Sequence, residues 1–92
     1  MITKRKRLGT VKVTFVQEAK DEPVFVAGSF NEWQREPLKP AKDGTVRATV
    51  TASAGEVLEF RYVTGSGYWF DDDQADEYVG NELGTVNGLL RV

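Results

Sequence analysis

The chain is a succession of short stretches in which apolar and polar residues alternate at every second position. From Thr10 to Glu18, Val11, Val13 and Phe15 fall on one side and Lys12 and Thr14 on the other, the spacing of a strand with one buried face. Val24-Phe25-Val26-Ala27 is a continuous apolar run of β-favouring side chains and predicts a buried strand. Alternation returns from Thr45 to Ala52, with Val46, Ala48 and Val50 inward, and from Glu56 to Val63, where Leu58, Phe60 and Tyr62 oppose Glu59 and Arg61. Tyr68 to Asp71 predicts a further short strand with Tyr68 and Phe70 inward and Trp69 outward. Thr85 to Val92 predicts the last, with Val86, Gly88, Leu90 and Val92 turned away from Thr85, Asn87, Leu89 and Arg91.

The breaks between these stretches are turn sequences. Ala19 to Pro23 is a polar turn closed by proline, and Gly28-Ser29 ends the apolar run before a turn, Phe30-Asn31-Glu32-Trp33, with an aromatic at each end. Gln34 to Lys42 is polar and carries Pro37 and Pro40, so a loop along a sheet edge is expected. Asp43-Gly44, Ala54-Gly55 and Gly65-Ser66-Gly67 are turn signals. Asp72 to Leu83 is acidic, broken by glycine and without apolar period, and is expected as a long solvated loop. No segment holds a period of about 3.6 residues. Short strands at near-regular spacing predict an all-β, antiparallel β-sandwich over residues 10–92, preceded by a basic segment, residues 1–9.

Composition narrows the chemistry. With 92 residues and 40% apolar content the chain makes one domain. It has neither cysteine nor histidine, which excludes disulfides, thiolate metal sites, and Ser-His-Asp or Cys-His catalysis. A net charge of −2 with mixed signs gives no general pull toward nucleic acid. The one basic cluster, Lys4-Arg5-Lys6-Arg7, is read as a solvated start to the first strand rather than a tag for nucleic acid or an anionic surface. No apolar stretch follows it as in a secretory signal, and none reaches membrane-spanning length. A reducing, cytoplasmic setting is expected from the missing cysteines.

Trp33 follows the turn after the buried run, and Trp69 points outward by parity, as do Arg61, Thr85 and Asn87. Parity leaves open whether they share one outer face. Two aromatic plates beside a guanidinium, a hydroxyl and an amide suit a neutral polyhydroxylated ligand, because a sugar ring has an apolar C–H face and a rim of hydroxyls. The run VFVAGSFNEW, then EFRYV, then a tryptophan after a glycine-containing turn, then LGTVNGLLRV, resembles carbohydrate-binding module family 48. That family includes the glycogen-binding domain of AMP-activated protein kinase β subunits and the N-terminal domains of isoamylases and branching enzymes. The resemblance spans about Val24 to Val92.

The resemblance implies an immunoglobulin-like β-sandwich and a non-catalytic α-glucan-binding function, with glycogen, maltooligosaccharides or cyclodextrin as partner and no cofactor or metal. The family's two stacking tryptophans fall on Trp33 and Trp69, its basic residue on Arg61, its leucine that enters the glucan curve on Leu83, and its hydrogen-bonding pair on Thr85 and Asn87. Two departures stand out: lysine is common in the family where Arg61 stands, and the turn Gly65 to Tyr68 differs in length from the kinase-type domain. The residues alone also admit plainer roles. Trp33 could staple its turn, Trp69 could lie in the core, Arg61 and Asn87 could pair across strands, and Leu83 could anchor its loop. The alternative function is an accessory module that packs on a glycogen-metabolising enzyme or kinase without binding sugar. The carboxylates Asp71, Asp72, Asp73, Asp76 and Glu77 invite a calcium or glycosidase reading, but their spacing fits no calcium loop and so small a domain encloses no cleft for a catalytic pair.

Overall fold

A computed structural model describes residues 1–92. The chain forms ten strands and one short 3-10 turn. The strands are β1 (Ile2–Arg7), β2 (Thr10–Glu18), β3 (Val24–Gly28), β4 (Glu36–Pro37), β5 (Lys39–Pro40), β6 (Thr45–Ser53), β7 (Val57–Thr64), β8 (Trp69–Phe70), β9 (Glu77–Gly80) and β10 (Val86–Arg91). One sheet has the order β1-β2-β6-β5 and the other β4-β3-β7-β10-β9, with β8 beside the second half of β7. Every pairing is antiparallel. The two sheets close on each other as an all-β sandwich, and no helix is long and apolar enough to cross a membrane.

The period-two pattern sets this packing. Val11, Val13 and Phe15 of β2 face Val24 and Val26 of β3, Leu58, Phe60 and Tyr62 of β7, and Leu90 of β10 in one core cluster. Aromatic rings form a column through it. Phe30 lies 5.6 Å from Phe15, Phe15 lies 4.9 Å from Phe60, Phe60 lies 5.8 Å from Tyr62, and Tyr62 lies 5.3 Å from Phe70. These separations are those of favourable ring contacts. The column ties the turn after β3 to β8, the two places that carry the tryptophans.

Four expectations need correction. Residues 1–9 are not a lead-in: Ile2 to Arg7 pair with Phe15 to Thr10 along the whole of β1, whose cations line an outer edge of the sheet. Charged side chains on such an edge deter pairing with another strand. Gln34 to Lys42 is more than an edge loop. Its two-residue strands join different sheets, β4 to β3 and β5 to β6, and Leu38 between them is buried in the core. Proline is tolerated there because these are outermost strands. Two side chains expected inward near the start of their strands are exposed instead, Tyr68 at 67% and Val86 at 40%.

The fourth correction concerns Asp72 to Leu83, which is not wholly a solvated loop. It contains β9, and Asp72 is only 1% exposed. Asp72 Oδ2 accepts hydrogen bonds from the Tyr62 hydroxyl at 2.7 Å, Gln17 Nε2 at 3.3 Å and the Met1 amine at 3.0 Å, while Oδ1 accepts the Gln74 N–H at 2.8 Å. A buried carboxylate survives only when its lone pairs are occupied in this way. Burial, and then the Asp72 carboxylate that its hydroxyl faces, push the Tyr62 phenol well above the ordinary tyrosine range.

Two outcomes are expected. Gly28 has no room for a side chain, since a Cβ would stand 2.3 Å from the Glu59 carbonyl oxygen and 2.6 Å from the Phe30 ring. Gly28→Ala should therefore lose about 1–3 kcal/mol of stability in urea unfolding. Tyr62→Phe, which strips a donor from a buried carboxylate, should lose about 1–3 kcal/mol at neutral pH. Because folding raises the phenol's pKa from 10.0, its contribution is intact below that pH and declines as pH rises above it. Stability of the unmodified protein should fall above about pH 10 by up to about 1.4 kcal/mol per pH unit from this group, and Tyr62→Phe should remove that component.

Candidate functional site

The turn that carries Trp33 is built by Asn31. Its Oδ1 accepts the Gly28 N–H at 3.1 Å and its Nδ2 donates to the Gln34 carbonyl at 2.7 Å, while the Trp33 N–H donates to the Gly28 carbonyl at 2.9 Å. The backbone is thereby forced through the left-handed region at two successive residues that are not glycine, Glu32 with φ 58° and Trp33 with φ 61°. Each such residue costs on the order of 1–2 kcal/mol. Strain held by a hydrogen-bonded frame commonly marks a position where side-chain direction matters. Trp33 leaves this turn 40% exposed.

Trp69 is presented by register. Val63 of β7 pairs with Phe25 of β3 on one side and with Trp69 of β8 on the other, so all three project from the outer face. Ala27 and Val63 on that face are fully buried yet lie outside the core cluster between the sheets. Trp69 projects from the same face at 36% exposure. The Arg61 guanidinium lies over the Trp69 ring with its carbon 6.0 Å from the ring centroid, and that of Arg35 lies at 5.8 Å. Both distances fall within the reach of cation–π attraction.

Arg61 is held at two points: Nε donates to Asp71 Oδ1 at 3.0 Å and Nη1 to Thr85 Oγ1 at 3.3 Å. The loop from β9 to β10 wraps around Asn81. Asn81 Oδ1 accepts the backbone N–H groups of Leu83 at 3.0 Å and Thr85 at 3.2 Å, and its Nδ2 donates to Asn87 Oδ1 at 3.0 Å. Asn87 Nδ2 in turn donates to Glu59 Oε1 at 3.4 Å. Gly84 makes the turn with φ 79°, and Leu83 stands at its tip 88% exposed.

All six residues singled out in the sequence, Trp33, Arg61, Trp69, Leu83, Thr85 and Asn87, line one open groove of about 650 Å³ on the outer face of the β3–β7–β10 sheet. Glu59, Asn81 and Glu82 also line it and were not anticipated, and neither was Arg35 over Trp69. Glu59 shares the parity of Arg61, so its direction was readable. Asn81 and Glu82 sit in a stretch without period, which offered no such signal.

The acidic residues disperse. Asp71 pairs with Arg61, Asp72 is buried under Tyr62, Asp76 accepts the Arg91 N–H at 2.7 Å, and Glu77 bonds the Arg91 guanidinium. No three acidic side chains converge as metal ligands do. No protein-family model matches the chain, and no curated protein matches it. The functional reading therefore stands on the groove itself.

The strain in the turn gives a direct expectation. Glu32→Gly should raise stability by about 1 kcal/mol, because glycine enters the left-handed region freely, and Glu32→Val should lower it by at least as much. Thermal unfolding of the two variants against the unmodified protein checks this.

Proposed function

We propose that this chain is a non-catalytic α-glucan-binding module that recognises glycogen-type α-1,4 chains. The observation that carries the proposal is that two partly exposed indoles, one from a turn and one from strand β8, line one groove together with a guanidinium, two amides and an exposed leucine. The apolar faces of neighbouring glucose units stack on Trp33 and Trp69. Arg61 and Asn87 meet the hydroxyls along the rim. Leu83, at the loop tip, fills the concave side of a curved glucan. The groove is open on its outer side, which suits a polymer that passes across it rather than a ligand that is enclosed.

An open, wet site that must order a flexible chain supports only modest affinity. Dissociation constants from micromolar to millimolar are expected, about −4 to −8 kcal/mol. Several modules on one branched particle would raise the apparent strength. A cytoplasmic setting accords with a cysteine-free chain and a glycogen-type ligand.

Titration with β-cyclodextrin or maltoheptaose, followed by tryptophan fluorescence, tests the proposal. A saturable change is expected in the unmodified protein, and Trp33→Ala and Trp69→Ala should each weaken binding by at least about tenfold, a loss of about 1.4 kcal/mol. No response to either glucan in a folded sample rejects sugar binding, and would leave the exposed indoles and Leu83 as the anchor of a protein interface.

A further inference from the structure

We infer that Thr85 is a positioning residue for Arg61 and makes no ligand contact of its own, and that Asn81 sets which hydrogen-bonding groups the groove offers. The ligand arm of the test below rests on the α-glucan reading of the same groove. A hydroxyl has one proton to give and two lone pairs to receive with. Thr85 Oγ1 receives Arg61 Nη1 at 3.3 Å and Asn81 Nδ2 at 2.7 Å, which fills both its lone pairs, and it lies 3.0 Å from Asn81 Oδ1. No acceptor capacity is left for a ligand.

The polarity of this arrangement is set by the backbone. Two main-chain N–H groups, of Leu83 and Thr85, point at one atom of the Asn81 amide, and only its oxygen can accept both. The Asn81 nitrogen therefore faces Thr85 Oγ1 and Asn87 Oδ1, which turns the Asn87 nitrogen toward Glu59. What remains for a ligand follows by subtraction. Arg61 has used two of its roughly five N–H donors, on Asp71 and Thr85, and the rest are free. Asn87 keeps one N–H. The acceptors are carboxylates, Glu59 and Glu82.

Charged donors beside charged acceptors, with no neutral hydroxyl free to accept, complement a neutral vicinal diol. The guanidinium donates to the diol oxygens and a carboxylate takes a hydroxyl proton, both through charge-assisted bonds. Thr85 and Asn81 act on such a ligand only through Arg61 and Asn87.

A double-mutant cycle read with β-cyclodextrin separates this relay from direct contact. Thr85→Val, which keeps the side chain's shape and removes the hydroxyl, should weaken binding about tenfold, but change it less than about twofold when Arg61 is already alanine. Thr85→Ser should restore binding to within about twofold. Equal penalties for Thr85→Val in the presence and absence of the Arg61 side chain would show that Thr85 touches the ligand and would overturn the inference.

A second arm needs no ligand. Side-chain nitrogen NMR of Arg61 in the free protein should show hindered rotation of the guanidinium, lost in Thr85→Val and kept in Thr85→Ser. Unchanged Arg61 signals in Thr85→Val would refute the relay whether or not any glucan binds. A failure of β-cyclodextrin to bind, with the NMR result as expected, would count against the glucan reading alone.

Discussion

Strand β7 is hydrogen-bonded on both sides, to β3 along one side and to β10 and then β8 along the other, and this double pairing decides where the site residues point. Side chains on a strand alternate, so a shift of one residue would exchange the two faces. Leu58, Phe60 and Tyr62 are buried without exception, and no register that turns them to solvent is tolerable. Their burial forces Glu59, Arg61 and Val63 to the opposite side. Glu59 and Arg61, the share of the groove that β7 supplies, are thus the sequence neighbours of residues that hold the sheets together.

The two tryptophans reach that face by different physics. Trp69 is delivered by cross-strand pairing with Val63, so its direction is as secure as the register. Trp33 is delivered by a strained turn that Asn31 clamps and that Gly28 allows to pass close under Phe30 and the Glu59 backbone. The aromatic column from Phe30 to Phe70 joins the two deliveries through the core. Rigid elements with locked neighbours hold a recognition surface better than free loops do. Both indoles sit on such elements, and the remaining contributor, the loop around Leu83, is stiffened by hydrogen bonds to a single asparagine side chain.

Beside the groove, polar contacts reach into the core. Asp72, in a stretch whose composition reads as solvent-exposed, is drawn inside by Tyr62, Gln17 and the Gln74 N–H. Three aspartates in a row look alike along the chain, yet one pairs with Arg61 and its neighbour is buried. Charge alone does not sort them. The partner on β7 lies ten residues back in each case, beyond the turn and β8, and the period-two pattern does not say which aspartate meets which side chain.

Alternation by itself determined the all-β class, the main strands and the inward set Val11, Val13, Phe15, Leu58, Phe60, Tyr62 and Leu90, because burying one side of a strand imposes a period of two that survives in the residue order. The six residues singled out along the chain line one groove. Only the tertiary structure decided that they share it, since parity says which way a side chain leaves its sheet and not which sheet it leaves. Packing between distant segments also decided the burial of Leu38 and Asp72 and the place of Arg35 over Trp69. Each of these depends on a contact partner brought close by folding, and a one-dimensional order of residues holds no record of that distance.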